Sequence, residues 1–153
     1  MNYGIQILSA VIGSIGFGML FHLTRAQLPL AAVGGGLSWL FYLLGSNWFH
    51  DIFPATLFAS LGVALYAEIL ARICKAPSTP FFAISVIPLI PGSSLYYCMF
   101  NFVQAQPDAA MAYGRQTFSV ALAIAAGMSI MWTFCDLYRK FCAALRKIYK
   151  GEV

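Results

Sequence analysis

Apolar residues fall into five long stretches along the chain, separated by short polar or proline-containing segments. The stretches cover approximately residues 3–23, 29–45, 52–73, 81–103 and 117–133. A membrane-spanning α-helix needs about 20 mostly apolar residues, within a range of about 17–25. The pattern therefore predicts an all-α, polytopic integral membrane protein, with about five transmembrane helices in a single membrane domain.

The composition supports a membrane protein. Of the 153 residues, 61% are hydrophobic and 9% are charged, whereas soluble domains carry about 25% charged residues. The four cysteines show no C-x-x-C motif and no metal-ligand spacing with histidine, so we predict no metal, disulfide or other cofactor. Trp39, Tyr42, Trp48 and Phe49 are expected to form an aromatic belt at the outer membrane interface.

The fourth stretch is interrupted in its middle. Between Ile84 and Tyr97 the chain reads I-S-V-I-P-L-I-P-G-S-S-L-Y-Y, which places Pro88, Pro91 and Gly92 inside an apolar run. A proline inside a helix removes a hydrogen bond and costs about 3 kcal/mol or more. In lipid the freed backbone groups persist only where protein or a wet cavity covers them. We therefore predict a fourth span that is broken at Pro88-Pro91-Gly92.

The break predicts two kinds of binding group. Pro88 and Pro91 cannot donate to the carbonyls of Ile84 and Ile87, which leaves those oxygens available to a cation or an ammonium group. The half-helix that restarts near Gly92 presents N–H groups and the positive end of its dipole, which suit a carboxylate. Broken helices of this kind form substrate sites in many secondary transporters; a kink used only for packing is the alternative. The candidate substrate-binding residues are Ile84, Ile87, Pro88, Pro91, Gly92, Ser93, Ser94, Tyr96, Tyr97 and Asn101.

A carboxylate lies near the end of the third span. Glu68 and Arg72 are four residues apart and share a helical face. An ionisable group at membrane depth is a functional candidate, here for coupling transport to an ion. The alternative is an interfacial ion pair in which Arg72 or Lys75 reaches Glu68.

Small residues and one long connection complete the pattern. Gly34, Gly35 and Gly36 weaken the second span or permit close contact with another backbone. Small residues also share a face in the first span (Ser9, Gly13 and Gly16) and in the fifth (Ala121, Ala125 and Ser129). Residues 104–116 are expected to form the longest loop.

The basic residues predict the orientation. Five of the nine lie in the last fifteen residues, where residues 134–153 form a basic amphipathic tail suited to an anionic membrane surface rather than to nucleic acid. With five spans, eight of the nine fall on the side of the C-terminus, and only Arg115 falls on the other. The positive-inside rule then places the N-terminus outside and the C-terminus in the cytoplasm.

A family resemblance appears at the broken span and just before it. The run E-I-L-A-R-I-C-K-A-P from Glu68 to Pro77 and the run F-F-A-I-S-V-I-P-L-I-P-G-S-S-L-Y from Phe81 to Tyr96 resemble the threonine/serine exporter family. The length and the five-span layout are similar to its small-subunit branch, which corresponds to the C-terminal half of the single-chain exporters. No established substrate residues are carried over from this resemblance.

The resemblance implies a function, a partner and a location. It implies a subunit of a secondary transporter in a bacterial inner (plasma) membrane, which exports threonine and serine or succinate-type dicarboxylates at the expense of the proton-motive force. It also implies a separately encoded larger subunit. Five spans of one orientation cannot supply both halves of an inverted repeat, which independently favours a partner. A homo-oligomer is a further possibility.

Two other function classes are weighed against export. A structural or assembly subunit, or a channel component, would carry no substrate pathway of its own and remains open as the alternative. An enzyme is not expected, because H-E-x-x-H, G-x-S-x-G and a pair of intramembrane aspartates are all missing from the sequence.

Overall fold

The structure is a computed structural model that describes residues 3–149, with side chains described as far as Cys142. The described residues are almost entirely helical, which confirms the all-α prediction. The elements are α1 (Tyr3–Leu20), α2 (Leu28–Phe49), α3 (Ile52–Cys74), α4 (Ser78–Val86), a 3₁₀ turn (Ile87–Leu89), α5 (Gly92–Val103) and α6 (Pro107–Tyr149).

The helices agree with about five spans. Four of them, α1, α2, α3 and α6, are long and apolar enough to cross a membrane. Ser78–Leu89 and Gly92–Val103 are together long and apolar enough for a fifth, as one span that is bent by 56° at the break or as a re-entrant pair. The prediction of a broken fourth span is confirmed. The second helix is longer than the predicted span 29–45, since α2 continues past Gly45 to Phe49.

The predicted loop at residues 104–116 is wrong, because α6 is helical from Pro107 onward. Proline at the first helical position loses no hydrogen bond, and Asp108 in the first turn interacts favourably with the helix dipole. The segment has low hydropathy and was therefore predicted as a loop, although Pro107 and Asp108 favour the start of a helix. The tail is a continuation of the same helix as far as Tyr149; residues 150–153 of the predicted tail lie outside the described part.

The direction of the helices follows from which residues meet. Gln116 on α6 shares a cavity with Ile52 on α3, Gly127 packs on Ser60, and Asp136 shares a cleft with Glu68. Residue numbers rise together on both helices, so α3 and α6 run parallel. The bent pair α4–α5 therefore connects the end of α3 to the start of α6 and crosses the bundle.

The glycine triplet of α2 lets two helices, α1 and α4, approach it closely. A β-carbon added at Gly34 would collide with Ser85 of α4, one at Gly35 would collide with Ser14 of α1, and one at Gly36 would stand 2.8 Å from a methyl of Val11. The three glycines therefore make room for side chains of the neighbouring helices against the α2 backbone. The apolar core lies beside them, between α2, α3 and α4.

The other small-residue faces are turned outward. On α1 the buried positions are Ala10, Ser14 and Gly18, and added β-carbons at Gly13 and Gly16 would meet nothing. On α6 the packed positions are Ala123 and Gly127, whereas Ala121, Ala125 and Ser129 are exposed. Because both helices carry small residues on two faces, spacing alone cannot tell which face packs inside the chain.

Candidate functional site

The break is a short reorganised segment rather than a sharp kink. The 3₁₀ turn Ile87–Leu89 follows α4, Ile90 is extended, and α5 begins at Gly92. The N–H of Ile90 donates to the carbonyl of Ile87 at 3.1 Å, and the N–H of Gly92 donates to the carbonyl of Ile90 at 2.8 Å. The two prolines sit at turns where no N–H is needed.

The expectation of free carbonyls at Ile84 and Ile87 is wrong. The carbonyl of Ile84 accepts the N–H of Ile87 and also the Ser14 hydroxyl at 3.4 Å, and Ile84 is fully buried. The carbonyl of Ile87 accepts the N–H of Ile90. A switch from α-helical to 3₁₀ bonding satisfies the oxygens that the prolines would have left free.

A cavity of about 190 Å³ adjoins the break, and we call it the break cavity. Its lining comes from α2, α3, the break, α5 and α6. The lining residues are Trp39, Tyr42, Ile52, Thr56, Pro88, Leu89, Ile90, Pro91, Ser93, Ser94, Gln116 and Val120. The cavity is smaller than the roughly 300–1,000 Å³ typical of drug-sized ligands, so its volume suits a small solute.

The wall of the break cavity is about half polar and contains hydroxyl groups. Ser94 is 8% exposed and Thr56 is 1% exposed. Thr56 donates to the carbonyl of Ile52 at 2.8 Å and keeps its lone pairs as acceptors. Among the described residues, neither Ser93 nor Ser94 uses its hydroxyl in a hydrogen bond. Trp39 is already occupied, since its indole N–H donates to the side chain of Gln6 at 3.1 Å.

The start of α5 adds backbone donors to the cavity wall. No side chain caps this helix, and its first intrahelical bond runs from the N–H of Leu95 to the carbonyl of Pro91 at 3.0 Å. The N–H groups of Ser93 and Ser94 therefore lie at an uncapped N-terminus, where the helix dipole favours negative charge. None of the lining residues carries a charged side chain.

The structure brings together only part of the predicted binding set. Pro88, Pro91, Ser93 and Ser94 line the break cavity, whereas Ile84, Ile87, Gly92, Tyr96, Tyr97 and Asn101 do not. Tyr96 and Tyr97 are exposed, and the Tyr97 ring contacts the Tyr113 ring at a centroid distance of 5.4 Å. The Asn101 amide donates to the carbonyl of Tyr97 within α5 at 2.7 Å.

Eight lining residues were not predicted as part of a site, and four of these carry a polar group in the side chain: Trp39, Tyr42, Thr56 and Gln116. Trp39 and Tyr42 are predicted in the aromatic belt. Gln116 is predicted in a loop, but it lies on α6, which begins at Pro107. Thr56 gave no signal, because one threonine in an apolar helix has no distinguishing pattern. Its place beside the cavity depends on the packing of α3 against α2 and α6, which local sequence does not encode.

Glu68 lies in a second hollow, the Glu68 cleft, with a volume of about 250 Å³. Its lining residues are Glu68, Arg72, Ser78, Thr79, Trp132, Cys135, Asp136 and Arg139. Among the described residues no salt bridge within 4.0 Å joins Glu68 to Arg72 or Lys75, so the expected ion pair is not formed. Asp136, by contrast, pairs with Lys140 at 2.8 Å and with Arg139 at 2.5 Å.

The two hollows lie at opposite ends of α3. Thr56 in the break cavity and Glu68 in the cleft are separated by about 18 Å along the helix axis. A role for Glu68 in ion coupling would therefore act at a distance from the break cavity and not by direct contact with its contents.

Comparison with known families identifies one model that covers most of the chain. The family described as "Threonine/Serine exporter, ThrE" matches residues 6–134. The matched region contains most of α1, all of α2 to α5, and α6 as far as Phe134. A search of solved structures finds no match.

Proposed function

Because the chain belongs to the threonine/serine exporter family, we propose that it is a subunit of a secondary transporter that binds its exported solute in the break cavity. The observation that supports this most directly is the meeting of Ser93, Ser94 and Thr56 around a small hollow at the helix break. A broken helix with an uncapped half-helix at a cavity is the arrangement that many transporters use for small carboxylates.

The lining of the break cavity favours a small amino acid over a dicarboxylate. A zwitterion such as serine or threonine carries no net charge, and its carboxylate suits the N–H groups at the start of α5. A succinate-type solute would bring a second carboxylate into a site with no cationic side chain, which is costly without a counter-charge. Export of such a dicarboxylate would need a cation from a second subunit.

The proposed assembly includes a larger subunit of the same family. α5 packs mainly on α6, and its outer side exposes Tyr96, Met99 and Phe102. This surface is available to lipid or to a second subunit. We place the N-terminus outside and the C-terminus in the cytoplasm of a bacterial inner membrane, following the basic residues.

Efflux from loaded vesicles tests the proposal. The chain is co-expressed with its larger subunit, and efflux of labelled serine, threonine and succinate is compared for Ser94→Ala, Thr56→Val and Tyr96→Phe. Loss of hydroxyls that bind the solute should lower apparent affinity about tenfold for the first two variants. Tyr96→Phe should behave like the parent, because Tyr96 lies outside the cavity.

The same comparison separates export from the alternative role. Unchanged efflux for S94A and T56V, with normal assembly of the complex, would show that this chain is a structural subunit or a channel component without a pathway of its own. Preferential efflux of succinate would contradict the amino acid assignment and leave the family assignment intact.

A further inference from the structure

A larger hollow of about 870 Å³ lies between the α2–α3 turn and α6. We call it the turn vestibule. Its lining residues are His50, Asp51, Ile52, Phe53, Ala112, Arg115, Gln116, Phe118, Ser119 and Leu122. We propose that the turn vestibule is a water-filled outer chamber through which the solute leaves the break cavity, with Arg115 as the group that receives its carboxylate. This inference rests on the proposed function.

The turn vestibule adjoins the break cavity. Ile52 and Gln116 line both hollows, so the two spaces meet at these side chains. Gln116 is partly buried on α6, and among the described residues its amide makes no hydrogen bond. A polar, unengaged side chain at the boundary between two hollows is suited to a constriction that a solute passes.

The turn vestibule lies beside the α5–α6 hairpin, set back from its tip. α6 begins at Pro107, so the α5–α6 hairpin extends about 12 Å beyond Arg115. The tip of this hairpin is mixed in character: Phe102 and Val103 are 75% and 81% exposed, and Gln104, Gln106 and Asp108 are exposed beside them. The hollow contains the exposed side chains of His50, Asp51 and Arg115, and a lining with such polar and charged groups is suited to water.

The charges of the vestibule suit a carboxylate that has left the break cavity. Among the described residues Arg115 forms no salt bridge, and it is exposed. A guanidinium presents donors that bind a carboxylate through two parallel hydrogen bonds. The break cavity has no cationic side chain, so Arg115 is the first cation that the solute meets on this route.

Cysteine labelling tests the chamber without requiring export. Ser119→Cys places a thiol in the vestibule, and Ala121→Cys places one on the outward face of the same helix. The parent protein supplies the background from its native cysteines. A membrane-impermeant thiosulfonate added to intact cells reacts with thiolates in water, so the S119C variant should react at least about tenfold faster than A121C, which faces lipid.

Equal rates for the two variants, or labelling of S119C from the cytoplasmic side only, would overturn the chamber. Size-exclusion profiles of both variants confirm that the fold is retained. Labelling does not depend on transport, so it tests the chamber even if the protein exports nothing. If S119C is not labelled although efflux is normal, the proposed chamber is wrong and the proposed function is unaffected.

The role of Arg115 is tested by inhibition from outside. External serine should inhibit efflux about tenfold less strongly in R115Q than in the parent, and Arg115→Lys should restore part of the inhibition because the charge returns. Arg25→Gln is the matched control, since Arg25 is an exposed arginine in the α1–α2 connection. Inhibition that is equal in R115Q, R25Q and the parent would overturn the assignment of Arg115.

Discussion

Ser85 of α4 lies directly on the backbone of Gly34 in α2. A β-carbon added to Gly34 would collide with the Ser85 hydroxyl and stand 2.9 Å from the Ser85 β-carbon and from the Tyr66 ring. The Ser85 hydroxyl itself is buried and has no partner among the described residues. The half of the broken span that precedes the break is therefore held against α2 by close packing and not by a hydrogen bond at this crossing.

Gly34→Ala should destabilise the protein, because the added methyl forces α4 and α2 apart. Overpacking in a well-packed interior costs about 1–3 kcal/mol. Gly13→Ala is the matched control, since its β-carbon meets nothing within the chain and alanine is the better helix former. Thermal unfolding in detergent should give a lower midpoint for G34A and an unchanged or higher one for G13A. A midpoint for G34A equal to that of the parent would contradict the packing.

The large-scale fold follows from hydropathy and from backbone chemistry. Apolar stretches of sufficient length give the spans, and Pro88, Pro91 and Gly92 give the position of the break. What failed was the start of α6, where the cues were Pro107 and Asp108 and not hydropathy. A membrane helix that continues beyond its apolar stretch cannot be found by an apolar window alone.

The sequence predicted only those site residues that lie next to the break along the chain. Ser93 and Ser94 follow the break in sequence and were found, whereas Thr56 and Gln116 reach the break cavity through packing of α3 and α6. The carbonyls of Ile84 and Ile87 were expected to be free because proline has no N–H group to donate. The 3₁₀ turn supplies other donors, the N–H groups of Ile87 and Ile90. A local change in hydrogen bonding can replace a lost donor, and sequence alone does not show it.

Labelling of the two connections that flank the bent pair tests whether it crosses the membrane. Thr79→Cys lies at the start of α4, and Gln106→Cys lies between α5 and α6; both positions are exposed. Since α3 and α6 run parallel, an impermeant thiol reagent added to intact cells should label Q106C and spare T79C. Inside-out vesicles should show the reverse pattern. Labelling of both positions from the same side would mean that the pair is re-entrant.

Tyr66→Phe should cost little stability although it removes a partly buried hydrogen bond between helices. The Tyr66 hydroxyl donates to the carbonyl of Leu30 on α2 at 2.8 Å. Such bonds between membrane helices contribute about 0.6 kcal/mol on average, with a maximum of about 1.7. The unfolding midpoint of Y66F should therefore fall less than that of G34A. A larger fall for Y66F would show that hydrogen bonding, and not close packing, dominates the α2 interface.

Glu68→Gln tests whether this carboxylate couples transport to protons. Glu68 lies in the cleft with Arg72, Asp136 and Arg139 and has no salt bridge among the described residues. If its titration drives export, E68Q should abolish efflux driven by a proton gradient and leave solute exchange intact, because exchange needs no net proton movement.

The charge swap Glu68→Arg with Arg72→Glu provides the control. Restoration of driven efflux by the swap would show that the two residues act only as an ion pair and would contradict the coupling role. Asp136→Asn is the matched neutralisation in the same cleft: Asp136 already pairs with Lys140 and Arg139, and exposed ion pairs contribute little to stability. D136N should therefore retain driven efflux. Equal loss in E68Q and D136N would assign the effect to the charge of the whole cleft and not to Glu68.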